Sequence, residues 1–281
     1  MNVYVERHVG DTGRPDLNGT GPGARRRDVV DRTPSDGQAT DVIRSIGVLG
    51  YDKVSEQDCL TPVEIFKGAT LVLRGDIAPW PREAAPEELT VELVSLEPGV
   101  VTMQMGTQVV PDRTLDPDHL YDLLYIPGGV GSGAIATDER VLELIRGHHA
   151  AGRVVAANCS GVGVVARAGI LDDATVTSVA AIGRGLREEG FDAPATRRMW
   201  VGDPGRRVWT ATGSYGVNAS AVAIVAYYFG REVGTIVSMM FDTLAGIGEA
   251  VFDPIGPQFF EHEALESSFQ DLFQPMLLPP E

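Results

Sequence analysis

The segment V-V-A-A-N-C-S-G-V-G-V-V-A at residues 154–166 constrains the fold of this chain more than any other. A short apolar run leads directly into Asn158-Cys159-Ser160-Gly161, and a second apolar run follows that reads as a helix. A strand that passes into a helix without a spacer needs a sharp turn, and small neighbours such as Ala157 and Gly161 let the backbone bend without clashing. Any side chain at the apex of such a turn stands clear of the sheet edge.

The rest of the chain repeats the alternation. Residues 43–50 read as a first strand and 55–68 as a helix carrying Leu60, Val63, Ile65 and Phe66. The proline-rich stretch 74–88 reads as a surface excursion. Residues 89–96 and 100–110 alternate apolar and polar residues around Pro98-Gly99, which predicts two strands joined by a turn. Strands are further expected at 123–126, 154–157, 175–179, 196–201 and 207–211, and helices at 138–149, 162–168, 184–189, 218–228 and 232–244. This order predicts an α/β domain whose central sheet is mostly parallel, with helices on both faces. Residues 1–42 read as a flexible arm, 43–257 as the domain and 258–281 as a C-terminal extension.

A formal net charge of -16 disfavours binding to nucleic acid or anionic membranes, which depends on Lys and Arg neutralising phosphate charge. A small-molecule substrate is the expected partner. Two cysteines, Cys59 and Cys159, in a chain without a leader-like apolar start suggest free thiols in a cytoplasmic protein. No run approaches transmembrane length.

At the turn, helix N-terminal amides face the Cys159 sulfur, favour its thiolate and make it a candidate nucleophile; the plainer reading is a buried, inert cysteine. The glycines of Y-I-P-G-G-V-G-S-G (125–133) can turn their amides inward to stabilise an oxyanion, or can simply form a turn. If their strands are parallel, both loops lie at the carboxyl edge of the sheet, where such folds bind ligands. A dinucleotide fingerprint at Gly129, Gly131 and Ala134 lacks its acidic partner, since about twenty residues on stand His148, His149 and Ala150. Adjacent histidines point about 100° apart on a helix, so His148 and His149 predict a solvated face and no metal site. Cys59 and the pair Tyr227-Tyr228 read as packing residues and His262 as a surface residue.

The motifs E-Q-D-C-L-T-P-V-E-I-F (56–66), D-L-L-Y-I-P-G-G (122–129), A-N-C-S-G (157–161), A-G-I-L-D-D (168–173) and T-A-T-G-S-Y-G-V-N-A-S-A (210–221) resemble the ThiJ/PfpI superfamily, in that order. The resemblance implies a flavodoxin-like three-layer sandwich of the class I glutamine amidotransferase type, commonly a homodimer, with no cofactor. Asp58 and Pro62 in the pattern D-x-x-x-P, together with C-S-G, are most similar to its isonitrile hydratase branch. On that resemblance Cys159 is the nucleophile and Asp58 the acid/base, with Ser160, Gly128 and Gly129 flanking the sulfur; Glu64 is a reserve acid. The chain departs from the branch at Thr61 and at Val179-Ala180, and it has no histidine directly after Cys159. Glyoxalase-like or deglycase-like chemistry, cleavage of a specialised metabolite, or ligand or redox sensing remain alternatives.

Overall fold

In the computed structural model, which describes residues 42–76, 88–116, 118–193, 198–241, 271 and 273–279, the strands follow in the order β1 Ser45–Gly50, β2 Thr90–Ser95, β3 Val101–Thr102, β4 Gln108–Val109, β5 Arg113–Thr114, β6 Leu123–Ile126, β7 Val154–Asn158, β8 Trp200–Asp203 and β9 Val208–Ala211. Seven of them form one sheet in the order β5-β2-β1-β6-β7-β9-β8. All neighbours are parallel except β8 and β9. Every residue of β6 and β7 is buried, as expected of strands covered on both faces. One helical layer consists of α1 Glu56–Arg74, α6 Tyr215–Phe229 and α7 Arg231–Met240, in mutual contact. The other holds α2 Ser132–Ile135, α3 Glu139–Ala150, α4 Gly161–Arg167 and α5 Ala180–Glu188. The result is the flavodoxin-like three-layer sandwich that the sequence predicts.

The strand order places the site. From β1 the chain crosses to β2 on one side, then returns to β6 on the other, so the order reverses between β1 and β6. Parallel sheets bind ligands outside the carboxyl ends of their strands at such a reversal. The segments leaving β1, β6 and β7 there carry Asp58, Gly128-Gly129 and Cys159.

Local chemistry sets the element ends. The Asp138 carboxylate caps α3 by accepting the Arg140 N–H at 3.1 Å. Gly75, at φ 79°, closes α1 in the left-handed conformation that glycine adopts without steric cost.

Three expectations change. The second strand expected at 100–110 is a separate antiparallel hairpin of β3 and β4, turned at residues 103–107. Residues 176–179 form no strand, because β8 already occupies the place beside β9 and the Thr177 N–H is taken by Thr210 Oγ1 at 3.0 Å. His148 is fully buried, not on a solvated face: its Nδ1 bonds the Leu144 carbonyl at 2.8 Å while Nε2 accepts the Tyr121 N–H at 3.0 Å. The arm expected at 1–42 lies outside the described residues except for Val42, as does most of the excursion at 74–88.

Of the C-terminal extension, residues 273–277 are helical and lie against the α2–α4–α5 layer. Leu277 and Leu278 are buried, and Arg167 donates to the Pro279 carbonyl at 2.5 Å. The Met276 carbonyl sits so close to Gly133 that any β-carbon there would collide with it. Gly133→Val is therefore expected to displace residues 273–279 and cost about 1–3 kcal/mol. Urea unfolding would show the loss, and limited proteolysis would show faster cleavage within that segment.

Candidate active site

Cys159 occupies the single residue between the end of β7 and Ser160, which leads α4, and its φ of 52° lies in the left-handed region. A non-glycine residue there costs about 1–3 kcal/mol and persists only where its surroundings enforce it. Its N–H extends the β7–β9 ladder by donating to the Ala211 carbonyl at 2.9 Å. Gly128 lies against its side chain: a β-carbon on Gly128 would stand 2.9 Å from Sγ. The result is a half-buried residue at the carboxyl edge of the sheet.

Asp58, in the first turn of α1, is 1% exposed. Its Oδ1 accepts the Ser214 N–H at 2.8 Å, and its carboxylate also accepts hydrogen bonds from the Cys159 and Ser55 side chains. Burial pushes its pKa up, and those three bonds only partly oppose the rise. The Cys159 thiol is raised well above its ordinary value, first by burial and then by the charge and hydrogen bond of Asp58; the Ser160 N–H and hydroxyl pull weakly the other way. The helix amides expected to favour a thiolate are thus outweighed by burial and by Asp58.

The glycine loop is braced from three sides. The Gly128 N–H donates to Asn158 Oδ1 at 2.8 Å, and the Gly129 N–H to Ser160 Oγ at 3.0 Å. The Ser160 hydroxyl returns a bond to the Gly129 carbonyl. Both glycine amides, expected to hold an oxyanion, thus bind the protein itself, and the donor aimed at the sulfur is the Ser160 N–H. Gly129 and Gly131 also press against the backbone of residues 52–55, so the close approach expected for a pyrophosphate is filled by the chain's own backbone. Tyr51, buried directly after β1, donates its phenol to the Pro127 carbonyl at 2.7 Å. From the β3–β4 turn, Gln104 accepts the Val130 N–H at 3.0 Å.

The structure brings together Cys159, Asp58, Gly128, Gly129 and Ser160, while Glu64 is exposed on α1. Cys59 is fully buried in the core with its thiol pushed up to about 12, and Tyr227 and Tyr228 pack on Trp209. His262 lies outside the described residues. Sequence reasoning missed Ser214, whose exposed residue position has φ 34° and whose amide orients Asp58; the T-G-S-Y-G motif contained it without suggesting a role. It also missed Tyr51, which directly follows the expected first strand. Among the described residues no cluster of three or more His, Cys, Asp or Glu side chains is placed to hold a metal, and no helix is long and apolar enough to cross a membrane.

A parallel α/β sandwich with a cysteine at a strained strand-to-helix turn and a buried carboxyl beside it defines the class. A sequence model of the DJ-1/PfpI family matches residues 44–225, and the chain belongs to that family. It is 32% identical over 133 residues to the isonitrile hydratase of Pseudomonas putida, covering 47% of this chain and 51% of that protein. To the deglycase PfpI of Pyrococcus furiosus it is 34% identical over 106 residues, covering 37% of this chain and 61% of the relative. The matches thus span about half to three-fifths of these relatives' length. Among solved structures, a ThiJ/PfpI family protein from Pseudomonas syringae aligns with a TM-score of 0.61 at 18% identity over 90% of this chain and 97% of its own. Drosophila melanogaster DJ-1beta aligns with 0.59 at 20% identity over 72% and 99%.

The coupling of sulfur and carboxyl is measurable. Asp58→Asn removes the charge that raises the thiol, so alkylation of Cys159 by iodoacetamide near pH 8 should accelerate about tenfold, the equivalent of one pKa unit. An unchanged rate against pH would contradict the coupling.

Proposed function

We propose that this chain is a cysteine-dependent enzyme that hydrates a small isonitrile to its N-formamide, with Cys159 as nucleophile and Asp58 as acid/base. One observation carries the reading: the group hydrogen-bonded to the cysteine is a buried carboxylate, where a histidine would serve a peptidase-like site. The likeness to isonitrile hydratase supports it.

An isonitrile, R–N≡C, is electrophilic at its terminal carbon once that carbon is protonated. Asp58 accepts the thiol proton as sulfur adds to this carbon and delivers the proton to it, giving R–N=CH–S–Cys159. The carboxylate, regenerated, next removes a proton from a water that attacks the same carbon and passes it to the imine nitrogen, leaving the hydroxyl proton of the adduct for sulfur. Collapse of the tetrahedral adduct breaks the C–S bond, releases R–NH–CHO and returns the proton to sulfur. One water is consumed and no electrons change hands. A raised carboxyl pKa suits a group that must both take and give the proton. Ser214 fixes the orientation of that carboxyl through its amide, and the Ser160 N–H stabilises charge on sulfur as the C–S bond breaks.

Turnover of a simple alkyl isonitrile, followed by formamide release, tests the reading. Cys159→Ser should abolish turnover, and Asp58→Asn should reduce kcat about 10²–10⁴-fold, the range for a positioned acid/base. The rate should rise with pH through the elevated Asp58 value and fall only where the thiol loses its proton. No turnover of an isonitrile, with turnover of an aldehyde or ketone instead, would replace this reading with the carbonyl chemistry suggested by the deglycase relative.

A further inference from the structure

Pro62 lies in the interior of α1, four residues beyond Asp58. In an α-helix the carbonyl of residue i accepts the N–H of residue i+4, and proline has none. The Asp58 carbonyl therefore lacks its helical donor in a part of the molecule where water does not reach, since Asp58 is 1% exposed and Pro62 is buried. The missing donor comes from outside the helix. Asn158, fully buried at the end of β7, gives its Nδ2 to the Asp58 carbonyl at 3.0 Å and to the Tyr125 hydroxyl at 3.1 Å. Its Oδ1 accepts the Gly128 N–H at 2.8 Å. An obligatory donor at one end and an obligatory acceptor at the other fix which way the carboxamide faces.

This one side chain thus joins the backbone of the residue that carries the acid to the backbone of the residue that abuts the sulfur, and it belongs to the residue just before the nucleophile. We infer that Asn158 and Pro62 are a matched pair of positioning residues: the proline frees the Asp58 carbonyl, and Asn158 uses it to hold the carboxyl in register with Cys159. Without that bond the first turn of α1 is tied to the cysteine turn and the glycine loop beside it by the Asp58 side chain and by the Ser55 N–H bond to the Gly128 carbonyl. The inference rests on Asp58 and Cys159 being the reacting pair, but it holds for any substrate they act on.

A double-mutant cycle separates positioning from mere packing. Asn158→Leu leaves two buried backbone groups unpaired and should lower the melting temperature. Adding Pro62→Ala restores a helical N–H to the Asp58 carbonyl and should recover part of that loss. Alkylation of Cys159 by iodoacetamide, followed against pH by intact-protein mass, reads the position of the carboxyl. If Asn158 positions Asp58, the alkylation midpoint moves to lower pH in Asn158→Leu and stays there in the double variant, because the carboxyl has left the thiol even though the helix is whole. If the double variant regains the wild-type midpoint with its stability, or if no variant shifts it, the inference is overturned. Should Asn158→Leu not fold, the double variant alone decides. Isonitrile turnover by the wild-type protein is measured alongside: its absence would remove the hydratase reading and leave the alkylation result standing.

Discussion

The left-handed backbone at Cys159 is the constraint around which the site is assembled. An unsupported residue would relax out of it, so each neighbour serves to hold it: the Ala211 carbonyl takes its N–H, and Gly128 fills the space into which the turn would open. Gly161 lets α4 start against the Ile126 and Pro127 carbonyls, where a β-carbon would not fit. A second strained residue, Ser214, faces it across the site and holds Asp58. The sheet supplies the rigid frame: three adjacent parallel strands, β1, β6 and β7, end side by side and deliver Asp58, the glycine loop and Cys159 to one edge.

The opposing effects on the Cys159 thiol differ in size. A helix N-terminus contributes about 0.3–1 kcal/mol to a nearby anion, up to about 2 when partly buried. A full charge about 4 Å away contributes about 4 kcal/mol at an effective dielectric near 20. Burial, the larger cause of the raised thiol, and the nearby Asp58 together outweigh the short helix α4. Both effects hold the thiol above its ordinary value.

Much of this was legible in the sequence. The apolar runs ending in Pro127-Gly128-Gly129 and in Asn158-Cys159 identify buried parallel strands, and the turn residues place the cysteine at an edge. The edges of the sheet were less legible. The segment at 100–110 alternates like a strand but folds back as a hairpin, and 175–179 has strand composition but loses its place to an antiparallel neighbour. Both outcomes depend on competition between distant segments. The upward shift of the Cys159 thiol was hidden for the same reason, because it comes first from burial in the folded chain and then from Asp58, about a hundred residues away. His148 shows the limit for polar residues: on a helix face it reads as solvated, yet two backbone partners make it a buried, neutral strut.

Burial and the neighbouring Asp58 hold the Cys159 thiol above its ordinary range. The most direct test is the thiolate absorbance near 240 nm, titrated as the difference between wild type and Cys159→Ser. The expected result is no thiolate signal at neutral pH and an onset only well above the ordinary cysteine range. A thiolate already formed at pH 7 would contradict it and return the helix amides to the leading role.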